Sequence, residues 1–406
     1  MAKQIVFCAD GTWNGPGASA GSGDIDTQAQ QDGELHSEVT NVFHLFANLD
    51  GQITPATREL PQETEKALVD AAGSVLQVAK YLHGVGDSSN PILKVLGGVL
   101  GVGVIARIVR GYTFLSRNYE PGDSVHIIGF SRGAYTARAL AGMIANVGLL
   151  NKRAYDPDDK VQAYLRGFEA WLKCKGVVFN GNNRFSSMLT ALTDFAEGAV
   201  ARVLLSDADF IPDVQMRSVA VWDTVGSMGI PEYIGGARHD FFSFVDLKLS
   251  PKVDRGFHAM ALDERRLDFP VTRWDADPRV DQMWFIGAHS DVGGGYPSGQ
   301  CGLSDIALDW MMQNLSQPAL GVRFANPGSY IPALDGGEQP FHTPWLNPPF
   351  NIAPKARTPL AGDAFHPSVQ RRWLALPTYQ QDWPKQFIAP LPPQTSVVPP
   401  LAAAQS

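Results

Sequence analysis

Short apolar runs punctuated by polar, glycine-bearing turns recur along the chain. Residues 4–9 (QIVFCA), 125–128 (VHII), 216–221 (MRSVAV) and 281–287 (DQMWFIG) read as strands, and a further strand opens the segment 81–87. Between them, helical spacing appears at residues 41–49 with Thr40 as N-cap, at 92–117, in the Ala-rich stretch after Gly133, and at 303–315. Residues 61–79 and 254–267 also predict helices, the second with His258 in mid-face. Alternation of this kind predicts an α/β fold with a mostly parallel central sheet flanked by helices. In such sheets ligands bind at the carboxyl edge of the strands. The polar residues directly after strands therefore matter: Asp10-Gly11-Thr12-Trp13 after the first run, Ser131, Asp223, and the stretch from His289 to Gly295.

The alternation breaks at residues 152–213, where two amphipathic helices (160–173 and 186–204) flank a polar link. This predicts a helical, cap-like insertion, with Phe168, Trp171, Leu172, Phe195 and Val203 as its core. The resulting division is a first part of the core over 1–151, the insertion over 152–213, and a second part of the core over 214–320. An irregular extension packed on the core follows over 321–389, then a disordered Pro/Ala-rich tail over 390–406.

Composition narrows the class. The 406 residues are 44% hydrophobic and 18% charged, which suits a large globular core. A net charge of −8 leaves no electrostatic footprint for nucleic acid. Cys8, Cys174 and Cys301 are too widely spaced for a disulfide framework or a zinc knuckle. The first residues form no signal peptide, and the apolar run at 95–106 is too short to span a bilayer. Synthesis in the cytoplasm is expected, with export by a signal-peptide-independent route left open.

The chemistry centres on residues 129–133, GFSRG. A G-x-S-x-G turn between an apolar strand and an Ala-rich helix is the pattern of a nucleophile elbow. It would lift the Ser131 hydroxyl above the sheet, at the N-terminus of a helix whose dipole favours developing negative charge. Acyl transfer also needs a base and a group that orients it. Ser131, Asp223 and His289 occur in the chain order Ser, Asp, His and each follows a strand. His289 is then the general base, and Asp223 fixes its tautomer. Asp291 and Asp305 compete less well for the third role, as do His44, His126, His258 and His366 for the base. The expected oxyanion donors are the backbone N–H of Arg132 and one from Gly11 or Thr12. Asp10, Trp13, Phe130 and Asp291 are candidate substrate-binding residues, with Asp10 also able to brace its loop. A rival arrangement would hold a metal between Asp10, Asp223, His289 and Asp291. A third reading is a non-catalytic binding protein on a hydrolase scaffold.

Several motifs together resemble one family. F-x-x-DGT-W-N, Gly84-Val-Gly, FLSRNY-x-PGD, GFSRGAYTAR, VWDTVGS, HA-x-ALDERR, GAHSDVGGGY and LSDIAL run in order over residues 7–311, with FHPSVQRR beyond. They are similar to the DUF2235 family, the catalytic domain shared with type VI secretion phospholipase effectors. The resemblance implies an α/β-hydrolase fold and a Ser-Asp-His triad at Ser131, Asp223 and His289. It implies a serine hydrolase of carboxylic esters, most sharply lipid or phospholipid acyl esters, that needs no cofactor. The partners it implies are the ester substrate, a membrane surface, and secretion machinery or an immunity protein.

Overall fold

The computed structural model describes residues 2–11, 39–54, 63–83, 100–175, 205–225, 233–234, 237–238, 247–267, 269–347, 351 and 354–382. Their centre is a nine-stranded sheet. In chain order its strands are β1 (Gln4–Ala9), β2 (Gln52–Ile53), β3 (Glu63–Val69), β4 (Val75–Leu82) and β5 (Ser124–Phe130). They continue with β6 (Met216–Trp222), β7 (Val253–Ala261), β8 (Val280–Phe285) and β9 (Ala364–Phe365). Across the sheet the order is β9-β8-β7-β6-β5-β1-β4-β3-β2. The run from β9 to β4 is parallel throughout, and in this sheet only β3 is reversed, pairing antiparallel with both β4 and β2.

Alternate residues of the central strands feed two cores. Ile5, Phe7 and Ala9 of β1 join Val125 and Ile127 of β5 on one face; Val6 and Cys8 join Ile128 and Phe130 on the other. This is the period-two geometry of a strand buried on both sides, which reads in sequence as a continuous apolar run. Helices α2 (Leu100–Asn118), α3 (Arg132–Val147) and α4 (Lys160–Cys174) supply the first face. Helices α1 (Asn41–Asn48) and α6 (Gly302–Leu315) supply the second. As expected, the Thr40 hydroxyl caps α1 by accepting from Phe43 N.

Two expected helices are strands. Residues 61–79 contribute instead to the β3–β4 hairpin, which turns where Asp70 Oδ1 accepts from Ala72 N and Ser74 N, with Gly73 at φ 82°. That Asp-x-x-Gly turn was the stop signal hidden in a helix-forming composition. The hairpin's charges then pair across strands: Lys80 bridges Glu63 (2.5 Å) and Glu65 (3.3 Å). Residues 254–267 begin with β7, which lies between β6 and β8. From Gly256 to Ala261 every residue of β7 is buried. A strand covered on both faces has no alternation to display, so helix propensity in HAMALDERR gives a false reading that tertiary burial overrides.

The first part of the predicted insertion, α4, starts at Asp159, whose carboxylate accepts from Val161 N and Gln162 N. Its Phe168, Trp171 and Leu172 share one core with Val109, Tyr112 and Leu140 of α2 and α3. Gly167 lets the helices close: a Cβ there would lie 2.6 Å from Thr113. The predicted helix at 186–204, with Phe195 and Val203, and the tail at 390–406 lie outside the described residues, as do Thr12 and Trp13. The C-terminal segment crosses back over the sheet edge as β9, then α7 (Pro367–Ala375) and α8 (Pro377–Asp382). Val369 and Tyr379 pack there with Met260 and Trp284.

Candidate active site

Ser131 sits between β5 and α3 at φ 57°, ψ −124°, a backbone region that side-chain-bearing residues adopt only under strain. The flanking glycines are steric necessities. A Cβ on Gly129 would lie 2.3 Å from the Gly133 carbonyl oxygen, and one on Gly133 would lie 2.1 Å from that of Ala9. Ser131 N donates to Trp222 O at 3.2 Å, which ties the elbow to the end of β6. Asp223, the next residue, therefore stands beside it at the same sheet edge.

The Asp223 carboxylate is completely buried and accepts four hydrogen bonds. Oδ1 takes Ala261 N (2.9 Å) and Arg357 Nη1 (2.6 Å); Oδ2 takes His289 Nδ1 (2.6 Å) and Arg357 Nη2 (3.0 Å). Burial alone would protonate it. The Arg357 guanidinium and the His289 N–H overcome that and hold the carboxyl well below the usual carboxylate range. An ionised Asp223 can only accept, so the His289 proton belongs on Nδ1 and the lone pair on Nε2.

His289 opens the short helix α5 (His289–Gly293) beyond β8. Its N–H donates to Glu264 Oε2 at 3.1 Å, and its ring lies between Phe130 (centroids 4.5 Å apart) and the edge of Phe269 (5.1 Å). Burial lowers its basicity despite the opposing pull of Asp223, so it is neutral at neutral pH. Nε2 is buried and has no hydrogen-bond partner among the described residues, leaving a proton acceptor with its lone pair free. Ser131 and His289 are thus not yet hydrogen-bonded, a looseness common before substrate binds.

Other expected residues take supporting places. Asp10 is fully buried; it accepts from Thr40 Oγ1 (2.8 Å), the Tyr81 hydroxyl and Gly11 N (2.6 Å), while its carbonyl accepts from Arg107 Nη2. Desolvation pushes its carboxyl up to about 6. Asp10 therefore braces its loop, and the Gly11 N–H expected at an oxyanion donates to its carboxylate. Asp291 is likewise buried: it accepts from Ala288 N (2.8 Å) and His342 N (3.0 Å), and pairs with His342 Nδ1 at 2.6 Å. These bonds tie the start of α5 to the segment around His342. Phe130, 1% exposed, is a wall for the His289 ring. The remaining oxyanion donor expected, Arg132 N–H, stands at the first turn of α3.

The four residues of the metal reading do not converge. Asp10, Asp223 and Asp291 each spend their oxygens on separate protein donors, and among the described residues no three His, Cys, Asp or Glu side chains form a metal-sized group. His258 accepts from Thr224 N, and His126 lies between Ser218 Oγ and Gln4 Oε1; both are buried in the sheet.

Three contributors escaped the sequence reading of the site, although Glu264 lies within the HA-x-ALDERR motif. Glu264 was masked by the false helix at 254–267. Phe269 and Arg357 stand in stretches without periodicity, where a lone aromatic or cation looks like any other surface residue.

Several known proteins are similar to this chain. An uncharacterized protein of Saccharomyces cerevisiae, YEL023C, is 28% identical over 179 residues, which is 44% of this chain and 23% of that protein. A solved structure of the Tle1 effector bound to the VgrG spike of the type 6 secretion system aligns at 19% identity and TM-score 0.36, over 73% of this chain and 52% of that one. An uncharacterized protein from Pseudomonas aeruginosa aligns at 18% identity and TM-score 0.42, over 80% and 47%. The chain thus spans about half the length of those two proteins and less than a quarter of the yeast one. The family model for the type VI secretion (T6SS) phospholipase effector Tle1-like catalytic domain matches residues 3–314. With that span covering every strand from β1 to β8, the chain belongs to the Tle1-like phospholipase effector family of type VI secretion, through its catalytic domain.

Proposed function

We propose that this chain is a serine ester hydrolase that cleaves lipid acyl esters, in the manner of a phospholipase A, through Ser131, His289 and Asp223. The observation that carries the reading is the free, buried His289 Nε2, backed by an ionised Asp223, beside a serine elbow. Ser131 Oγ attacks the ester carbonyl as its proton passes to Nε2. The tetrahedral oxyanion meets the Arg132 N–H and the positive end of α3. Collapse expels the alcohol, which takes the proton back from His289, and leaves an acyl-Ser131. Water, deprotonated in turn by Nε2, then releases the fatty acid. Burial of His289 serves the task, because an imidazole kept neutral is ready to accept a proton.

The substrate class and the delivery route rest on family membership. The chain would be made in the cytoplasm and carried by secretion machinery. A lipid surface and an immunity protein are the further partners this reading implies.

The test compares wild type with Ser131→Ala on short p-nitrophenyl esters and on phospholipid vesicles, with and without EDTA, alongside fluorophosphonate labelling. Fatty-acid release that is lost in the variant and indifferent to EDTA supports a serine phospholipase. Turnover of soluble esters alone restricts the reading to a carboxylesterase. An unlabelled Ser131 in folded protein rejects the serine mechanism.

A further inference from the structure

Arg357 lies beyond residue 314, where the family match ends, in a stretch without regular secondary structure. It nevertheless reaches the centre of the site. Its guanidinium donates to both oxygens of Asp223 (2.6 and 3.0 Å), to Ala261 O (2.7 Å) and to Phe269 O (2.7 Å). The side chain is 7% exposed. Lys355 N donates to Arg265 O at 2.8 Å, which anchors the segment two residues earlier.

The contact has two physical effects. First, a planar fork across a carboxylate fixes position and rotation together, as a point charge does not. Asp223 is itself held at φ 35°, so its side chain needs an external brace to stay aimed at His289. Second, the cation neutralises the carboxylate. An unpaired buried Asp223 would stabilise protonated His289 strongly and hold its proton against transfer. Sharing Asp223 with Arg357 keeps the orienting hydrogen bond while weakening that pull. The same guanidinium donates to the Phe269 carbonyl, so it also anchors the residue whose ring flanks His289.

We propose that Arg357 is a positioning residue of the hydrolytic triad, which makes the C-terminal extension part of the catalytic apparatus. The inference rests on the triad reading above. Other charged and titratable groups around the pair are Glu264 and Arg266 beyond β7, Arg138 on α3, His258 on β7, and Asp291 on α5. Among the described residues the Asp223 carboxylate is seen bonded to Arg357, His289 and the Ala261 amide, so removing Arg357 takes away the cation of that set.

The test follows the downfield Nδ1–H resonance of His289 by proton NMR in the full chain, identified by its loss in Asp223→Asn. This readout needs no substrate and stays valid whether or not Ser131 attacks esters. In Arg357→Gln the pH midpoint of the resonance is expected to rise by about one unit. In Arg357→Lys, which keeps the charge but cannot span both oxygens, the rise is expected to be about half of that. The acid limb of kcat should move upward in step with the NMR midpoint in both variants. Any folded variant of the two whose resonance titrates with wild type overturns the proposal, even if its melting temperature falls. A purely structural clamp lowers the melting temperature and leaves the titration where it was. Failure of the esterase reading appears separately, as absent turnover in wild type with the NMR titration intact.

Discussion

Gly133 lies against the carbonyl of Ala9: a Cβ built on it would sit 2.1 Å from that oxygen and 2.4 Å from that of Asp10. The start of α3 and the end of β1 are therefore packed backbone on backbone next to Ser131.

Gly133→Ala is accordingly expected to push the elbow off the sheet. Overpacking of this kind costs about 1–3 kcal/mol, and because the displaced backbone can yield little, the upper end is expected. Misplacing the serine by about 1 Å costs about 100-fold in rate. Thermal melts and kcat measured side by side should both fall. An alanine variant with wild-type kcat would show that the elbow can shift without harm.

Asp223→Asn preserves the shape of the side chain but offers an amide where His289 and Arg357 both need an acceptor. The expected loss in kcat is about 10⁴-fold, from the wrong imidazole tautomer. Leaving Arg357 buried without its anion is expected to cost a further 3–5 kcal/mol of stability, roughly. Chemical denaturation of the single variant and of Asp223→Asn combined with Arg357→Met checks the second claim: the double variant should be the more stable of the two.

Acid should destabilise the fold through its buried histidines. Burial lowers His126 and His258 to about 3 and His44 and His366 to about 4, against an ordinary value of 6.5. Each is neutral when folded and takes up a proton more readily when unfolded. Their contribution is present above 6.5 and is lost as pH falls from there toward the folded values. Asp10 works in the opposite sense, since its carboxyl is raised from 3.8 to about 6 and it holds a proton in the fold over that window. The histidines, His289 among them, are expected to outweigh the carboxyls that burial raises (Asp10, Glu169, Asp291, Asp305 and Asp309), so the denaturation midpoint should drop between pH 7 and pH 5. A flat or rising midpoint over that window would contradict this balance.

His342→Ala is expected to slow turnover without touching the triad directly. His342 pairs with Asp291 at 2.6 Å and stacks on Tyr296 at 3.4 Å, and Asp291 in turn holds Ala288 N at the start of α5. Removing the imidazole leaves a buried carboxylate short of a partner, a cost of about 1–3 kcal/mol. The expected kinetic signature is a lower kcat with KM little changed, measured on a soluble ester.

Much of this site was legible from the chain alone, because strands that end in polar residues announce the sheet edge. Ser131, Asp223 and His289 each stand just beyond an apolar run, and Asp223 and His289 meet as expected. What sequence could not show was support from afar. Asp10 and Asp291 have the residue types of ligands, yet burial turns them into braces. Arg357 has the type of a surface cation, yet folding carries it across the sheet to Asp223. The two misread helices fail for related reasons: β7 is covered on both faces, and the β3–β4 hairpin is rich in Glu, Lys and Ala, so local preference pointed away from the pairing that burial enforces.

Cys8 adds a practical consequence. It lies near the C-terminal end of β1, two residues before Asp10, fully buried, with its thiol pushed far up by burial and by the neighbouring carboxylate. A closed sheet therefore hides it from alkylating reagents, whereas Cys174 and Cys301 are only partly covered. The rate at which Cys8 reacts, once the other two are replaced, becomes a clock for how often β1 opens to solvent, and how far a bound acyl group slows that opening.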